Sequence, residues 1–165
     1  MNKVLIIVDM QNIFLKNMSS KNKKILIQNQ LSVIKACVKK KIPVIELEYD
    51  VVGMTKAKTI SKLHNLYKPI YTVVKKDNGG FTNTDLEDTL IKMKVREIIL
   101  IGINANGCVQ DTAMGGINRG YKITTVLDTI ANVWRDDLKL SKSNHIWYQE
   151  RTSLFESTTE FIKHL

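Results

Sequence analysis

Leu100-Ile-Gly-Ile-Asn-Ala-Asn-Gly-Cys-Val109 is an apolar run that breaks into a turn of small residues and then enters a helical pattern. A buried strand feeding a helix through such a turn is the joint from which parallel α/β sheets are built. It sets Cys108 at the carboxyl edge of the sheet, above a helix amino terminus. The macrodipole and free backbone N–H groups there favour thiolate over thiol. Two other strand ends carry chemistry. Asp9 closes the apolar run Val4–Val8, and Lys75 closes Ile70–Val74. Open α/β sheets bind ligands beyond the carboxyl ends of their strands, so a carboxylate, an ammonium and a thiol at three such ends point to one site.

Outward from that stretch, strand and helix signals alternate. Val4–Val8 is continuously apolar, as a strand covered on both faces should be. Ile27, Leu31, Ile34 and Val38 recur at helical spacing, and the helix ends in Lys39–Lys41 before Pro43. Val44–Glu48 reads as the second strand. The polar stretch Tyr49–Lys68, with a short helix near Ile60–Leu66, is a candidate lid. Ile70–Val74 is the third strand, and Thr84-x-x-Glu87 predicts a capping box for a helix burying Leu86, Leu90 and Met93. Ile98–Ile101 is the fourth strand. Ala113, Gly115 and Gly116 suit a tightly packed helix that Gly120 ends. Ile123–Leu127 is the fifth strand, with Asp128 at its end and thus on the same edge as the other three polar groups. A helix over Asp136–Gln149, a short strand at Ser153–Phe155 and a helix from Ser157 close the chain. The expected fold is α/β: a three-layer, doubly wound, Rossmann-like and mainly parallel sheet with helices on both faces.

A chain of 165 residues with 44% hydrophobic content predicts one domain over residues 1–165, whose core needs no metal or disulfide staple. No apolar run approaches the roughly 18 to 20 residues of a membrane span. The chain enters Val4–Val8 at once, so its start reads as a core strand and not a secretory signal. Two cysteines make no disulfide framework. Cys37 reads as a small core residue, and a reducing cytoplasm is the expected location. The net charge of +9 comes mostly from lysines spread along the chain, with the densest groups, Lys21–Lys24 and Lys39–Lys41, flanking one helix. That pattern describes a solvated face and argues against nucleic acid, whose readers favour Arg and aromatic platforms.

The chemistry follows from the residue types. A cysteine nucleophile needs a proton acceptor, and a tetrahedral intermediate needs donors for its oxyanion. Asp9 can take the thiol proton and return it to a leaving amine, while Lys75 holds the carboxylate. Backbone N–H groups of the turn Ile103–Cys108 can face the oxyanion. Acyl transfer on an amide is the natural reaction class.

Val8-Asp-Met-Gln-Asn-Ile-Phe14, Lys75-Lys-Asp-Asn-Gly-Gly-Phe-Thr-Asn-Thr-Asp-Leu86 and Gly102-Ile-Asn-Ala-Asn-Gly-Cys-Val109 occur in this order, followed by Gly120-Tyr-Lys-Ile123 and Asp128-Thr-Ile-Ala131. Together they resemble the isochorismatase-like cysteine hydrolase superfamily, which includes nicotinamidases and other small amidases, over nearly all the chain. The resemblance implies a catalytic triad of Asp9, Lys75 and Cys108, with Lys75 chosen over Lys76 by its distance from Phe81. It implies a non-proline cis peptide at Ile103–Asn104, which turns the Asn104 and Cys108 amides toward an oxyanion. Phe14, Phe81 and Trp134 are expected to line the substrate pocket.

The departures are informative too. Nicotinamidases carry an Asp and paired-His metal site after the second strand. Here that region reads Glu46-Leu-Glu-Tyr-Asp50, and His64 is the one later candidate, with His145 and His164 remote. One His is too few for a usual zinc set, so neither metal nor other cofactor is expected. Gly107 departs from the bulkier residue common before the cysteine and opens space beside the thiol. The expected activity is metal-independent cleavage of a C–N bond in a small amide through a thioester. Two alternatives stand: an isochorismatase-type vinyl ether hydrolase that needs no thiol, and a non-catalytic binding module on the same fold. The resemblance also implies a homodimer or homotetramer.

Overall fold

A computed structural model describes residues 2–51 and 58–165. The elements are β1 (Lys3–Val8), α1 (Asn12–Leu15), α2 (Ser20–Lys39), β2 (Val44–Tyr49), α3 (Ser61–His64), β3 (Tyr71–Lys75), α4 (Leu86–Lys92), β4 (Glu97–Ile103), α5 (Cys108–Ile117), β5 (Lys122–Ala131), a 3₁₀ turn (Val133–Arg135), α6 (Lys142–Arg151), β6 (Ser153–Phe155) and α7 (Thr158–His164). The six strands form one sheet in the order β3-β2-β1-β4-β5-β6, and every neighbouring pair runs parallel. The expected doubly wound α/β fold is present.

The alternation of each strand divides its apolar residues between two cores. Leu5, Ile7, Ile99 and Ile101 face α1, α2, α3 and α7, packing on Leu15, Leu26, Val33, Leu63 and Phe161. Val4, Ile6, Val8, Ile98 and Leu100 face α4, α5 and α6, packing on Leu86, Leu90, Val109, Ala113 and Tyr148. Cys37 is fully buried in the first core, as its place in α2 predicts, and burial pushes its thiol up to about 12.

Strand order reverses between β1 and β4, and there the two backbones pack tightly at a glycine. Gly102 pairs with Val8 and has φ +133; a Cβ on it would lie 2.2 Å from the Val8 carbonyl oxygen. Backbone meets backbone, so no side-chain shift relieves the contact. Gly102→Ala is therefore expected to cost at least about 3 kcal/mol, read as a lower denaturation midpoint by urea unfolding.

Several sequence expectations are corrected. The strand expected to end at Leu127 continues to Ala131, and Asp128 does not join the site. From Leu100 to Gly102, β4 advances two residues while β5 advances five, from Thr125 to Ile130. Asp128 lies in the resulting bulge, where its carboxylate accepts the Thr158 N–H at 3.0 Å and the Thr158 hydroxyl at 2.7 Å. It anchors the start of α7, a long-range pairing that no local pattern announces. The helix expected from Asp136 begins at Lys142, capped by Ser141. Asp136 has φ +48 and accepts the Ser19 N–H at 2.8 Å, which pulls the chain out of helix. The Thr84–Glu87 capping box does not form. Thr84 donates to the Gly80 carbonyl at 2.6 Å, and Asp85 takes the cap position without a side-chain bond. On α2, Val38 is exposed while Gln30, Val33 and Cys37 are buried, so the buried stripe is rotated from the predicted one. The short helix before β3 is present as α3. The candidate lid over Tyr49–Lys68 includes residues 52–57, which lie outside the described residues.

Candidate active site

Asp9, Lys75 and Cys108 come from β1, β3 and the start of α5, and they meet beyond the carboxyl edge of the sheet. Lys75 Nζ donates to Asp9 Oδ2 at 2.9 Å and to the Asp77 carbonyl at 3.2 Å. It also sits 4.5 Å from the centroid of the Tyr49 ring. Lys75 and Asp9 are 1% and 2% exposed. Burying a lysine this deeply is sustained only by such a set of partners. Lys76, the alternative in sequence, points to solvent.

The Cys108 thiol lies close enough to both charged groups to feel their fields, and Asn78 Oδ1 lies 3.8 Å from Sγ. Protonation differs from the sequence expectation of a ready thiolate. Burial first, and the adjacent Asp9 charge second, push the Cys108 thiol up to about 12, with Lys75 opposing. The macrodipole of α5 is outweighed because the sulfur is desolvated beside an anion. Burial likewise raises the Asp9 carboxyl above its ordinary 3.8, against the pull of Lys75 and the thiol. Asp9 Oδ1 is buried without a partner among the described residues. The thiol therefore rests neutral beside the Lys75–Asp9 pair.

The turn between β4 and α5 contains the cis peptide Ile103–Asn104 expected from the resemblance. Three backbone amides of this turn are engaged. The Ala105 N–H donates to the Ala131 carbonyl at 3.0 Å, and the Gly107 N–H to the Asn104 carbonyl at 3.1 Å. The Asn106 N–H donates to Asn132 Oδ1 at 3.0 Å, and Asn104 Oδ1 accepts the Val133 N–H at 2.9 Å. Among the described residues, the amides of Asn104 and Cys108 donate to no protein acceptor. A Cβ on Gly107 would meet nothing closer than 3.8 Å, so there is open space at the residue before the cysteine.

The aromatic residues divide. Phe14 is half-buried and packs edge-on against Tyr49, the ring beneath Lys75. Trp134 is 67% exposed on the 3₁₀ turn after β5. Phe81 is instead a core residue, stacked on Tyr121 and lying under α5, where a Cβ on Gly115 would come within 2.9 Å of its ring. Its contacts are packing contacts and give no support to the pocket role expected for it.

His64, the one metal candidate, pairs with buried Glu46 at 2.9 Å. Among the described residues, no three His, Cys, Asp or Glu side chains are grouped to hold a metal ion. His145 and His164 lie at the surface, paired with Glu156 and the Glu160 carbonyl.

Four contributors escape sequence reasoning. Gln11 binds the Tyr49 N–H at 2.8 Å and the Tyr49 carbonyl at 3.0 Å, tying the β1 exit to the end of β2. Asn78, Asn132 and Tyr148 act across the fold on the thiol and its turn. Only the run of polar residues after each strand end hints at the first two.

Fold and site together define a doubly wound α/β hydrolase with a buried thiol–carboxylate–ammonium cluster. The chain matches the Isochorismatase domain family over residues 3–144, and it belongs to the isochorismatase family of hydrolases. It is 29% identical to Nicotinamidase 3 of Arabidopsis thaliana over 147 residues, which cover 77% of this chain and 72% of that protein. The cysteine hydrolase from Pseudomonas syringae shares the fold with a TM-score of 0.83 at 22% identity, over 98% of this chain and 91% of the other. N-carbamoylsarcosine amidase from Thermoplasma acidophilum shares it with a TM-score of 0.79 at 20% identity, over 93% and 94%. Among the described residues, no helix is long and apolar enough to cross a membrane.

Proposed function

We propose that this protein hydrolyses a C–N bond of a small amide through a thioester on Cys108, with Asp9 and Lys75 completing a catalytic triad. The observation that carries the reading is a neutral thiol beside a buried carboxylate–ammonium pair, on a turn that leaves two backbone amides without a protein acceptor among the described residues.

Sγ attacks the amide carbonyl as its proton passes to Asp9. The oxyanion is met by the N–H groups of Asn104 and Cys108, donors already oriented and costing no reorganisation. The C–N bond breaks as Asp9 returns the proton to the departing nitrogen. Water then gives a proton to Asp9 and attacks the thioester, and Asp9 passes that proton to the departing sulfur, which leaves as the thiol. Lys75 holds Asp9 in place. Because the thiol gives up its proton only as it attacks, its high pKa keeps the proton on sulfur at rest, and the raised carboxyl pKa makes Asp9 a stronger base for that proton. Phe14 and Trp134 are the aromatic residues offered to the substrate. The names of the nicotinamidase and carbamoylsarcosine amidase relatives support an amide over a vinyl ether.

The test is ammonia release from a panel of small primary amides, followed over pH. Activity needs Asp9 ionised, so kcat/KM should fall as pH drops through its raised pKa, placing the acid limb above 3.8. On the alkaline side activity should hold through neutrality and decline only as the thiol titrates, toward about 12. An alkaline limb rising toward about pH 8.5, as for an ordinary free thiol, would contradict the proton transfer described.

A further inference from the structure

The turn that carries the Asn104 and Cys108 amides is held from outside the triad by side chains that the proposed reaction does not use, Tyr148 foremost. Tyr148, on α6, is fully buried and the largest such side chain among the described residues. Its hydroxyl donates to the Ala105 carbonyl at 2.5 Å. Ala105 itself is fully buried, and its N–H is taken by the Ala131 carbonyl at 3.0 Å. Both polar groups of the residue that follows Asn104 are therefore pinned in opposite directions, one by β5 and one by α6.

We infer that Tyr148 is a positioning residue for oxyanion stabilisation, fixing the Ala105–Asn106 peptide plane and with it the turn that carries the Asn104 and Cys108 N–H groups. This rests on the reaction proposed above. A backbone donor can stabilise charge strongly only if its direction is set before the charge appears. A turn whose carbonyl lost its partner would rotate to recover a hydrogen bond, since a buried unpaired carbonyl is costly. That rotation carries the neighbouring N–H groups away. Burial and the nearby Asp111 raise the phenol, so the hydroxyl remains a donor at working pH. Trp147 packs edge-on against the Tyr148 ring at 5.0 Å and helps keep it aimed. Asn132 supplies a second, independent pin through the Asn106 N–H.

Two reactions of one sulfur separate this role from simple packing. Acylation by p-nitrophenyl acetate forms an Sγ–C bond, passes the thiol proton to Asp9 and expels p-nitrophenolate through an oxyanion. Alkylation by iodoacetamide forms an Sγ–C bond and expels iodide with no oxyanion at all. In Tyr148→Phe, acylation of Cys108 should fall about 10- to 100-fold, the effect of weakening oxyanion donors. Alkylation should change by less than about twofold, because thiol protonation is untouched. Asn132→Ala should show the same split and serves where the first variant folds poorly. Unchanged acylation in both variants, or an equal loss in acylation and alkylation, would overturn the inference. Absence of Cys108-dependent acylation in the unaltered protein would instead overturn the amidase reading, and this inference with it.

Discussion

Cys108→Ala is expected to abolish amide turnover, with kcat falling by about 10³-fold or more, since a lost nucleophile takes the covalent route with it. The fold should be little affected. Cys108 is 9% exposed at the first position of α5, and removing its sulfur leaves an opening at the site and no deep cavity. Ammonia release with a matched thermal unfolding curve checks both points. The experiment separates the three readings of the chain. A vinyl ether hydrolase that relies on Asp9 alone keeps its activity in Cys108→Ala. A binding module shows no turnover before or after. Only a thioester mechanism combines an active parent with an inactive variant, and it adds a mass shift on Cys108 in the parent under acyl trapping.

Asp9→Asn is expected to remove activity while making the thiol easier to ionise. General acid–base catalysis contributes about 10²- to 10⁴-fold, so kcat should fall within that range. The sign for the thiol follows from its surroundings. Asp9 raises the Cys108 pKa and Lys75 lowers it; with the carboxylate neutralised, the ammonium acts unopposed. The thiol should then titrate below about 12. Iodoacetamide should label it faster at a fixed pH of about 8, because a lower pKa leaves more of the sulfur as thiolate. A nucleophile that became more reactive while the enzyme became inactive would identify Asp9 as the proton carrier. Slower labelling together with lost activity would mean that Asp9 acts by stabilising the thiolate, contrary to the geometry. The variant also leaves Lys75 buried without its carboxylate, which typically costs about 3 to 5 kcal/mol, so the assays belong well below its melting temperature.

Much of the architecture is readable locally because a doubly wound sheet repeats a simple physical demand. A strand covered on both faces must be apolar throughout, as Val4–Val8 and Ile98–Ile101 are, and each strand end must turn in small or polar residues. Asp9, Lys75 and Cys108 stand out for that reason: they are chemically able groups at those ends. The errors share one cause. Asp128 at an expected strand end, Thr84 in an expected capping box and Asp136 at an expected helix start all take their reading from neighbours in sequence. Each is governed by a partner elsewhere or by a turn that outcompetes the cap: Thr158, the Gly80 carbonyl and Ser19.

The sequence alone determined the fold class, the family resemblance and the residue types available at the carboxyl edge, because hydrophobic period and turn composition are local properties. Only the tertiary structure decided which of those residues meet and in which protonation state they rest. It excluded Asp128, packed Phe81 into the core and, among the described residues, left two amides of the cis turn without a protein acceptor. It also reversed the expectation for the thiol. A helix amino terminus promises a thiolate, but desolvation and a neighbouring carboxylate, which no linear pattern records, keep the proton on sulfur.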